Sequence, residues 1–249
     1  RLQNGEVLIG SWVTLGHSGI AEIMSRAGYD WIVVDMEHSV ISIDAAGDLI
    51  RVIDLCGVAP LVRLTSNQPD QIKRVMDAGA HGVIVPMVLC ADDAARAVAA
   101  TRYPPVGTRG VGLGRAQAYG AGFQEYWDWQ VEGPIVIVQI EHREALDNLN
   151  EILAVPGVDG LLIGPYDLSS SMGIPGEFDD PRYTESLETI RSTARSLGVP
   201  AGIHIVEPDV SELKQAVAEG YTFIASGVDF KFLDAGARRG VEAMRELQS

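Results

Sequence analysis

Short apolar, β-branched runs alternate along this chain with longer amphipathic stretches, and several of the runs stop abruptly at a polar group. Runs near residues 6–13, 29–35, 59–64, 82–87, 134–141, 158–164, 200–205 and 221–228 predict strands. Between them, apolar positions recur at helical spacing in Ile20–Ala27, Ile43–Leu55, Asp70–Ala78, Ala91–Ala100, Arg143–Leu153, Tyr183–Leu197 and Pro208–Ala218. Gly28, Gly57, Gly79, Gly198 and Gly220 mark helix stops before the chain turns back into a strand. Eight such alternations predict a (β/α)₈ TIM barrel, an α/β fold, spanning 1–249 as one domain. The rival arrangement, an open doubly wound sheet, lacks its Gly-x-Gly-x-x-Gly after the first strand.

Two segments break the rhythm. Residues 102–133 form a long insert rich in Gly and aromatics (Tyr119, Phe123, Tyr126, Trp127, Trp129), and inserts of that length usually carry contacts or function. Residues 169–182 follow the sixth strand and read as a flexible rim element. The last predicted helix, Phe230 to Leu247, places Phe232, Leu233, Val241, Met244 and Leu247 as apolar positions. It either closes the barrel or packs on a neighbouring subunit.

Composition narrows the functional classes. A length of 249 residues matches one barrel, and 47% hydrophobic with 21% charged residues is ordinary for a soluble globular chain. No apolar run reaches the roughly 18 residues of a membrane span, and no signal-peptide pattern opens the chain. The net charge of −15 opposes nucleic-acid backbones and anionic lipid, so neither nucleic acid nor membrane is an expected partner. Cys56 and Cys90 carry no metal spacing and suit a reducing, cytoplasmic setting.

The chemistry is concentrated at strand ends. Tyr29-Asp-Trp-Ile-Val-Val-Asp35-Met-Glu37-His38 runs apolar to Val34 and then turns acidic and basic at once. Ala59-Pro-Leu-Val-Arg63 ends in an arginine, Pro134-Ile-Val-Ile-Val-Gln139-Ile-Glu141 in a glutamate, and Val158-Asp-Gly-Leu-Leu-Ile-Gly164-Pro-Tyr-Asp167 in an aspartate. Unconnected strands that each finish in a reactive group are the layout of a parallel barrel with its active site at one rim.

Each group has a functional and a plain reading. Glu141 and Asp167, at the ends of adjacent strands, suit a hard divalent ion; alternatively each caps the helix that follows. Gly164-Pro165-Tyr166 leads into a short helix whose first N–H groups can cradle a carboxylate or phosphate. Asp35 and His38 are spaced for the carboxylate to hold the imidazole as a general base, or for a structural hydrogen bond. Glu37 is an equal candidate partner. Arg63 pairs with a barrel carboxylate or meets a substrate oxyanion. Gln139 shares a strand face with Glu141, and Trp12 walls the pocket or packs. His204 is a pocket candidate without an assigned role, whereas His17, His81 and His142 read as structural or surface groups.

Together these residues resemble the metal-dependent class II pyruvate aldolases of the 4-hydroxy-2-oxoheptanedioate aldolase family, of the HpcH/HpaI aldolase/citrate lyase type. That family belongs to the phosphoenolpyruvate/pyruvate-binding barrels. The resemblance runs through Gly10-Ser-Trp12, Asp35-Met-Glu-His38, Leu61-Val-Arg63, Asp77-Ala-Gly-Ala80, Pro104-Pro-x-Gly-x-Arg109-Gly, Gln139-Ile-Glu141, Gly164-Pro-x-Asp167-Leu-Ser and Gly227-Val-Asp229. It implies an aldehyde-lyase that reversibly cleaves 4-hydroxy-2-oxo acids into pyruvate and an aldehyde, in aromatic compound catabolism. By resemblance, Glu141 and Asp167 bind one Mg²⁺, Mn²⁺ or Co²⁺ ion that chelates pyruvate. Gln139 and the backbone after Gly164 hold the pyruvate carboxylate, and Trp12 lines the site. His38, oriented by Asp35, moves the C4 hydroxyl proton, and Arg63 stabilises the enolate. The resemblance further implies a homo-oligomer, a hexamer, with Asp77 or the insert reaching a neighbour's pocket. His204 stands where relatives carry an apolar residue, which puts the aldehyde pocket in question.

Two rivals remain. A citrate-lyase-like or malyl-CoA-type lyase shares the metal carboxylates but needs basic groups for a CoA tail, and this acidic chain has no obvious cluster. A non-catalytic keto-acid-binding barrel has no use for His38, Asp35 and Arg63 together.

Overall fold

Each strand is short enough to be fixed by its alternating side chains. In the computed structural model, which describes residues 1–248, the strands are β1 (Leu8–Val13), β2 (Trp31–Asp35), β3 (Ala59–Arg63) and β4 (Gly82–Val85). They continue with β5 (Ile135–Ile140), β6 (Gly160–Ile163), β7 (Ala201–Ile205) and β8 (Phe223–Val228). Every strand pairs in parallel with the next, and β8 closes on β1, giving the (β/α)₈ barrel expected from the alternation. The helices are α1 (Ser18–Ser25), α2 (Ile43–Leu55), α3 (Pro69–Asp77), α4 (Ala91–Thr101), α5 (Phe123–Trp129) and α6 (Arg143–Asp147). After them come α7 (Leu149–Leu153), α8 (Pro165–Ser171), α9 (Pro181–Leu197), α10 (Val210–Ala218) and α11 (Asp229–Glu246).

Side-chain parity divides the core into two layers. Val34, Val62, Val83, Val138 and Ile163 face outward into the helices. Trp31, Val33, Leu61, Ile84, Ile137 and Leu162 face inward and fill the barrel with Phe223. The Trp31 and Phe223 rings stack 4.0 Å apart at the closed end. Gly10 makes room for them, since a Cβ there would lie 2.0 Å from the indole. The same inward parity, carried on toward the C-terminal ends, selects Trp12, Asp35, Arg63, Gln139, Glu141 and His204 for the open rim.

Some elements depart from expectation. The helix expected over Arg143–Leu153 is broken at Asn148, which has φ −106° and ψ 8° and whose side-chain amide donates to Leu89 O at 2.8 Å. The rim element 169–182 is partly helical, because α8 runs to Ser171. The insert folds as a 3₁₀ segment (Arg115–Gly120) and α5 around packed rings of Tyr103, Tyr126, Trp127 and Trp129. The last helix is tied to the barrel at its first turn, where buried Asp229 accepts from Thr14 and Leu15 and Phe232 packs on Gly227, and leaves it beyond. Its apolar residues remain open, with Leu233 62%, Val241 52% and Met244 56% exposed. The five expected glycine stops all have positive φ.

Candidate active site

The rim groups reach one another through strand register. Asp35 and Arg63 are direct register partners, and Arg63 donates from Nε to Asp35 Oδ1 at 2.9 Å and from Nη2 to Oδ2 at 2.6 Å. The forked guanidinium therefore meets the carboxylate with two bonds. Arg63 Nη1 lies 3.2 Å from Glu37 Oε2, too poorly aligned for a hydrogen bond, and that buried oxygen has no hydrogen-bond partner among the described residues. On its flank, the Arg63 guanidinium sits 4.4 Å from the Trp12 ring centroid. Of the two roles open to Arg63, the pairing with a barrel carboxylate is made.

The spacing of Asp35 and His38 does not bring the two side chains together. Asp35 Oδ1 accepts from the Glu37 and His38 backbone N–H groups at 3.0 and 3.3 Å, shaping the turn, while Arg63 holds the carboxylate from the other side. This turn aims the His38 ring outward. Its side chain is 63% exposed, and the carboxylate near it is Glu37, at 3.9 Å from Nε2. His38 still lines the rim cavity, but its carboxylate neighbour is Glu37 rather than Asp35.

Glu141 follows β5 directly and is almost fully buried. Its Oε1 accepts from Met87 N at 2.7 Å, and its Oε2 accepts from Gln139 Nε2. Burial pushes the Glu141 carboxyl up despite those bonds, and nearby Asp167 pushes it the same way. Glu37 is pushed up to about 7, by burial first, with Arg63 opposing and Glu141, Asp35 and Asp167 adding repulsion. Carboxylates crowded out of water in this way are poised to receive a cation.

A divalent ion fits the donor set. Asp167 lies in the first turn of α8, beyond the β6 strand that pairs with β5. Gly164, at the end of β6, has no side chain to obstruct the space, since a Cβ there would lie 2.6 Å from Glu141 Oε2. Gln139 Oε1 is buried without a partner. Among the described residues no cluster of three or more His, Cys, Asp or Glu side chains forms a ready-made cage. Two carboxylate ligands would leave the remaining positions to water and substrate oxygens, as hard ions accept.

A cavity of about 220 Å³ opens here, lined by Trp12, His38, Arg63, Gln139, Asp167 and His204 among others, including Gly164, Pro165 and Tyr166. Trp12 both packs and walls it. Tyr166 is exposed at its mouth, edge-on to Phe178 at 5.1 Å. Asp77 is elsewhere, at the end of α3 beside the glycine backbone of the insert, with Oδ1 buried and unpartnered and its carboxyl raised by burial. His17 and His142 accept from backbone N–H groups at the starts of α1 and α6, and His81 pairs with Asp54 at 3.2 Å, all structural settings. Sequence reasoning held Glu37 as an equal candidate partner of His38 but missed the Arg63–Trp12–His204 stack. Inward parity of β7 through Gly202 and His204 was the available signal for the latter.

Comparison with known proteins agrees with this fold. The profile of the HpcH/HpaI aldolase/citrate lyase family matches residues 8–235. A 2-keto-3-deoxy-L-rhamnonate aldolase from Escherichia coli is 41% identical over 230 residues, which cover 92% of this chain and 85% of that one. A HpcH/HpaI aldolase/citrate lyase family protein from Burkholderia cenocepacia superposes with a TM-score of 0.92 at 33% identity, over 98% of this chain and 97% of the other. A HpcH/HpaI aldolase from Desulfitobacterium hafniense gives 0.89 at 30%, over 98% and 95%. The family is the one the motifs resemble, and these curated relatives carry the rhamnonate rather than the heptanedioate name.

Proposed function

This chain belongs to the HpcH/HpaI aldolase/citrate lyase family, and from that premise we propose that it is a divalent-metal-dependent aldolase. It reversibly cleaves 4-hydroxy-2-oxo acids into pyruvate and an aldehyde. The observation that carries the reading is the convergence at one rim of buried Glu141, the Asp35-held Arg63 and the solvent-facing His38. The chain is an enzyme of the lyase class, as its named relatives are. Among the described residues no helix is long and apolar enough to cross a membrane.

Glu141 and Asp167 would hold one Mg²⁺, Mn²⁺ or Co²⁺ ion. Bound there, the ion supplies Lewis acidity to the keto oxygen of the substrate. Gln139 keeps Glu141 oriented through its amide, and the first N–H groups of α8 receive the pyruvate carboxylate. Arg63 stands by the position where negative charge develops as the C3–C4 bond breaks and pyruvate leaves as its enolate. Because Asp35 already fixes the guanidinium, little reorganisation is needed at that moment. His38 accepts the C4 hydroxyl proton as the aldehyde forms, and the reverse addition returns it. Among the described residues none of Lys73, Lys214 and Lys231 lines the cavity that holds Arg63 and Asp167, so no lysine there offers Schiff-base chemistry.

The test is a coupled assay of pyruvate release from a panel of 4-hydroxy-2-oxo acids after chelation and after adding back each metal. Activity lost with chelator and restored by a divalent ion is expected. Full activity of a Glu141→Ala, Asp167→Ala double variant would refute the proposal.

A further inference from the structure

His204 sits on the inward face of β7, the parity it shares with Gly202, and its ring stacks on Trp12 at 5.2 Å and 26° between planes. Arg63 occupies the other aromatic contact of the same indole. The imidazole is thus held in a fixed plane at the edge of the rim cavity. It also borders a wider cavity of about 590 Å³ that opens between β7, α10 and α11.

The proton on that ring can be placed. His204 Nε2 lies 3.0 Å from the Gly227 carbonyl oxygen. A carbonyl oxygen only accepts, so Nε2 must carry the hydrogen. Nδ1 then carries no hydrogen while the ring is neutral, and among the described residues it makes no hydrogen bond. Burial, with Arg63 adding to it against the opposing pull of Gly227 and Asp35, holds the imidazole down to about 4. The ring is therefore neutral at physiological pH, with an unengaged lone pair on Nδ1 of a residue that lines both cavities.

A bare lone pair selects its ligand. Ketone, aldehyde and carboxylate oxygens cannot donate to it, whereas a hydroxyl can. The wider cavity reinforces the choice: it is lined by Glu207, Glu212 and Glu219, and although Lys231 pairs with Glu207 and Arg191 with Glu219, the described charges there sum to a net negative one. A second carboxylate on the substrate would meet that acidic wall, while a neutral hydroxylated chain would not.

We propose that His204 is a specificity-determining residue whose Nδ1 accepts a hydrogen bond from a hydroxyl on the substrate's carbon chain. It selects hydroxylated aldehyde halves over their alkyl and carboxylated counterparts. The inference rests on the aldolase reading above and deepens it by naming the substrate class. A site built to bind a hydroxyl discriminates well against the analogue that lacks it, because its own polar group is then left unpaired.

Two measurements test it. In the addition direction, with pyruvate and Mn²⁺, kcat/KM is compared for glyceraldehyde, propanal and succinic semialdehyde. Wild type favours glyceraldehyde, and the glyceraldehyde-to-propanal ratio falls by about tenfold or more in His204→Leu. His204→Asn, whose amide oxygen accepts from nearly the Nδ1 position, recovers most of it. An unchanged ratio in His204→Leu overturns the proposal. Independently, ¹⁵N NMR of the histidine-labelled protein, with His204 assigned from the His204→Asn spectrum, reads the tautomer at pH 7. A protonated Nε2 and bare Nδ1 are expected, and an Nδ1-protonated ring overturns the proposal whatever the kinetics. Exchange of pyruvate methyl protons with solvent in wild type reports on the aldolase reading alone. Its absence with every metal removes both proposals, whereas exchange with an unchanged ratio removes only this one.

Discussion

Asp35 and Arg63 are register partners on neighbouring strands and share two hydrogen bonds, of 2.9 and 2.6 Å, at the mouth of the barrel. The pair is nearly dry, with side chains 3% and 14% exposed. Removing one partner from such a pair strands a buried charge and typically costs about 3–5 kcal/mol. Asp35→Ala should therefore lower unfolding stability by roughly that amount, and Arg63→Ala should too. The double variant should lose less than the sum of the singles. Urea titrations of the four proteins check this, and strict additivity would mean that the pair is not coupled. Arg63→Lys should restore little pyruvate proton exchange, because an ammonium cannot reproduce the fork that Asp35 grips.

His38 has a separate task and a separate signature. Its ring is mostly exposed, so His38→Ala should leave the melting temperature and pyruvate affinity nearly unchanged. Cleavage should fall by a factor on the order of 10²–10⁴, the usual cost of removing a general base. Cleavage at the wild-type rate would show the residue to be a surface histidine.

Gly164 tests the metal site without touching a ligand. An alanine Cβ would lie 2.6 Å from Glu141 Oε2 and 2.8 Å from its Cβ, so the glutamate has to move. Disturbing the support of a ligand commonly costs about 10–100-fold in metal affinity. Calorimetric titration with Mn²⁺ should show that weakening in Gly164→Ala, and wild-type affinity would place the ion elsewhere.

Much of this site could be read from the chain, for a physical reason. Period-two parity from Val33, Leu61 and Ile137 reaches Asp35, Arg63, Gln139 and Glu141, so one rule carries four side chains to the rim. The partner of Asp35 could not be read. His38 is three residues away and invites a local pairing, yet Arg63, 28 positions later, takes the carboxylate because β2–β3 register places it directly opposite. The break at Asn148 was hidden for a similar reason: the residue is tied to the Leu89 carbonyl, a distant partner that leaves no trace in helical periodicity.

Glu37 makes pH a probe of the rim. Its carboxyl is raised from 4.5 to about 7 by burial, so the folded chain holds this proton more tightly than the unfolded one. The stabilisation is complete below pH 4.5 and is lost as pH rises through about 7. Without divalent ions, Glu37→Gln should be more stable than wild type at pH 8, by up to about 3 kcal/mol. The two should converge as pH falls toward 4.5. Chemical denaturation at both pH values checks the sign, and a variant less stable than wild type at pH 8 would mean that Arg63 outweighs desolvation.

The last helix decides between an isolated chain and an assembly. It leaves Leu233, Val241 and Met244 more than half exposed, and the insert adds Leu113 at 66% and Tyr119 at 74%. Exposed apolar side chains spaced along one helix mark a contact. The wider cavity bordered by His204, α10 and α11 lies open on the same side as that helix. A neighbouring chain resting on α11 would shield both, which supports a homo-oligomer, with a hexamer as the expected size. Light scattering at assay concentration should give a multiple of the 26.7 kDa chain mass. Val241→Asp with Met244→Asp, placing charge on the exposed face, should shift the protein to smaller species. Cleavage per chain should fall with it if the neighbour completes the pocket. A wild-type protein that is monomeric and fully active under those conditions would rule the assembly out and leave α11 as a solvated appendage.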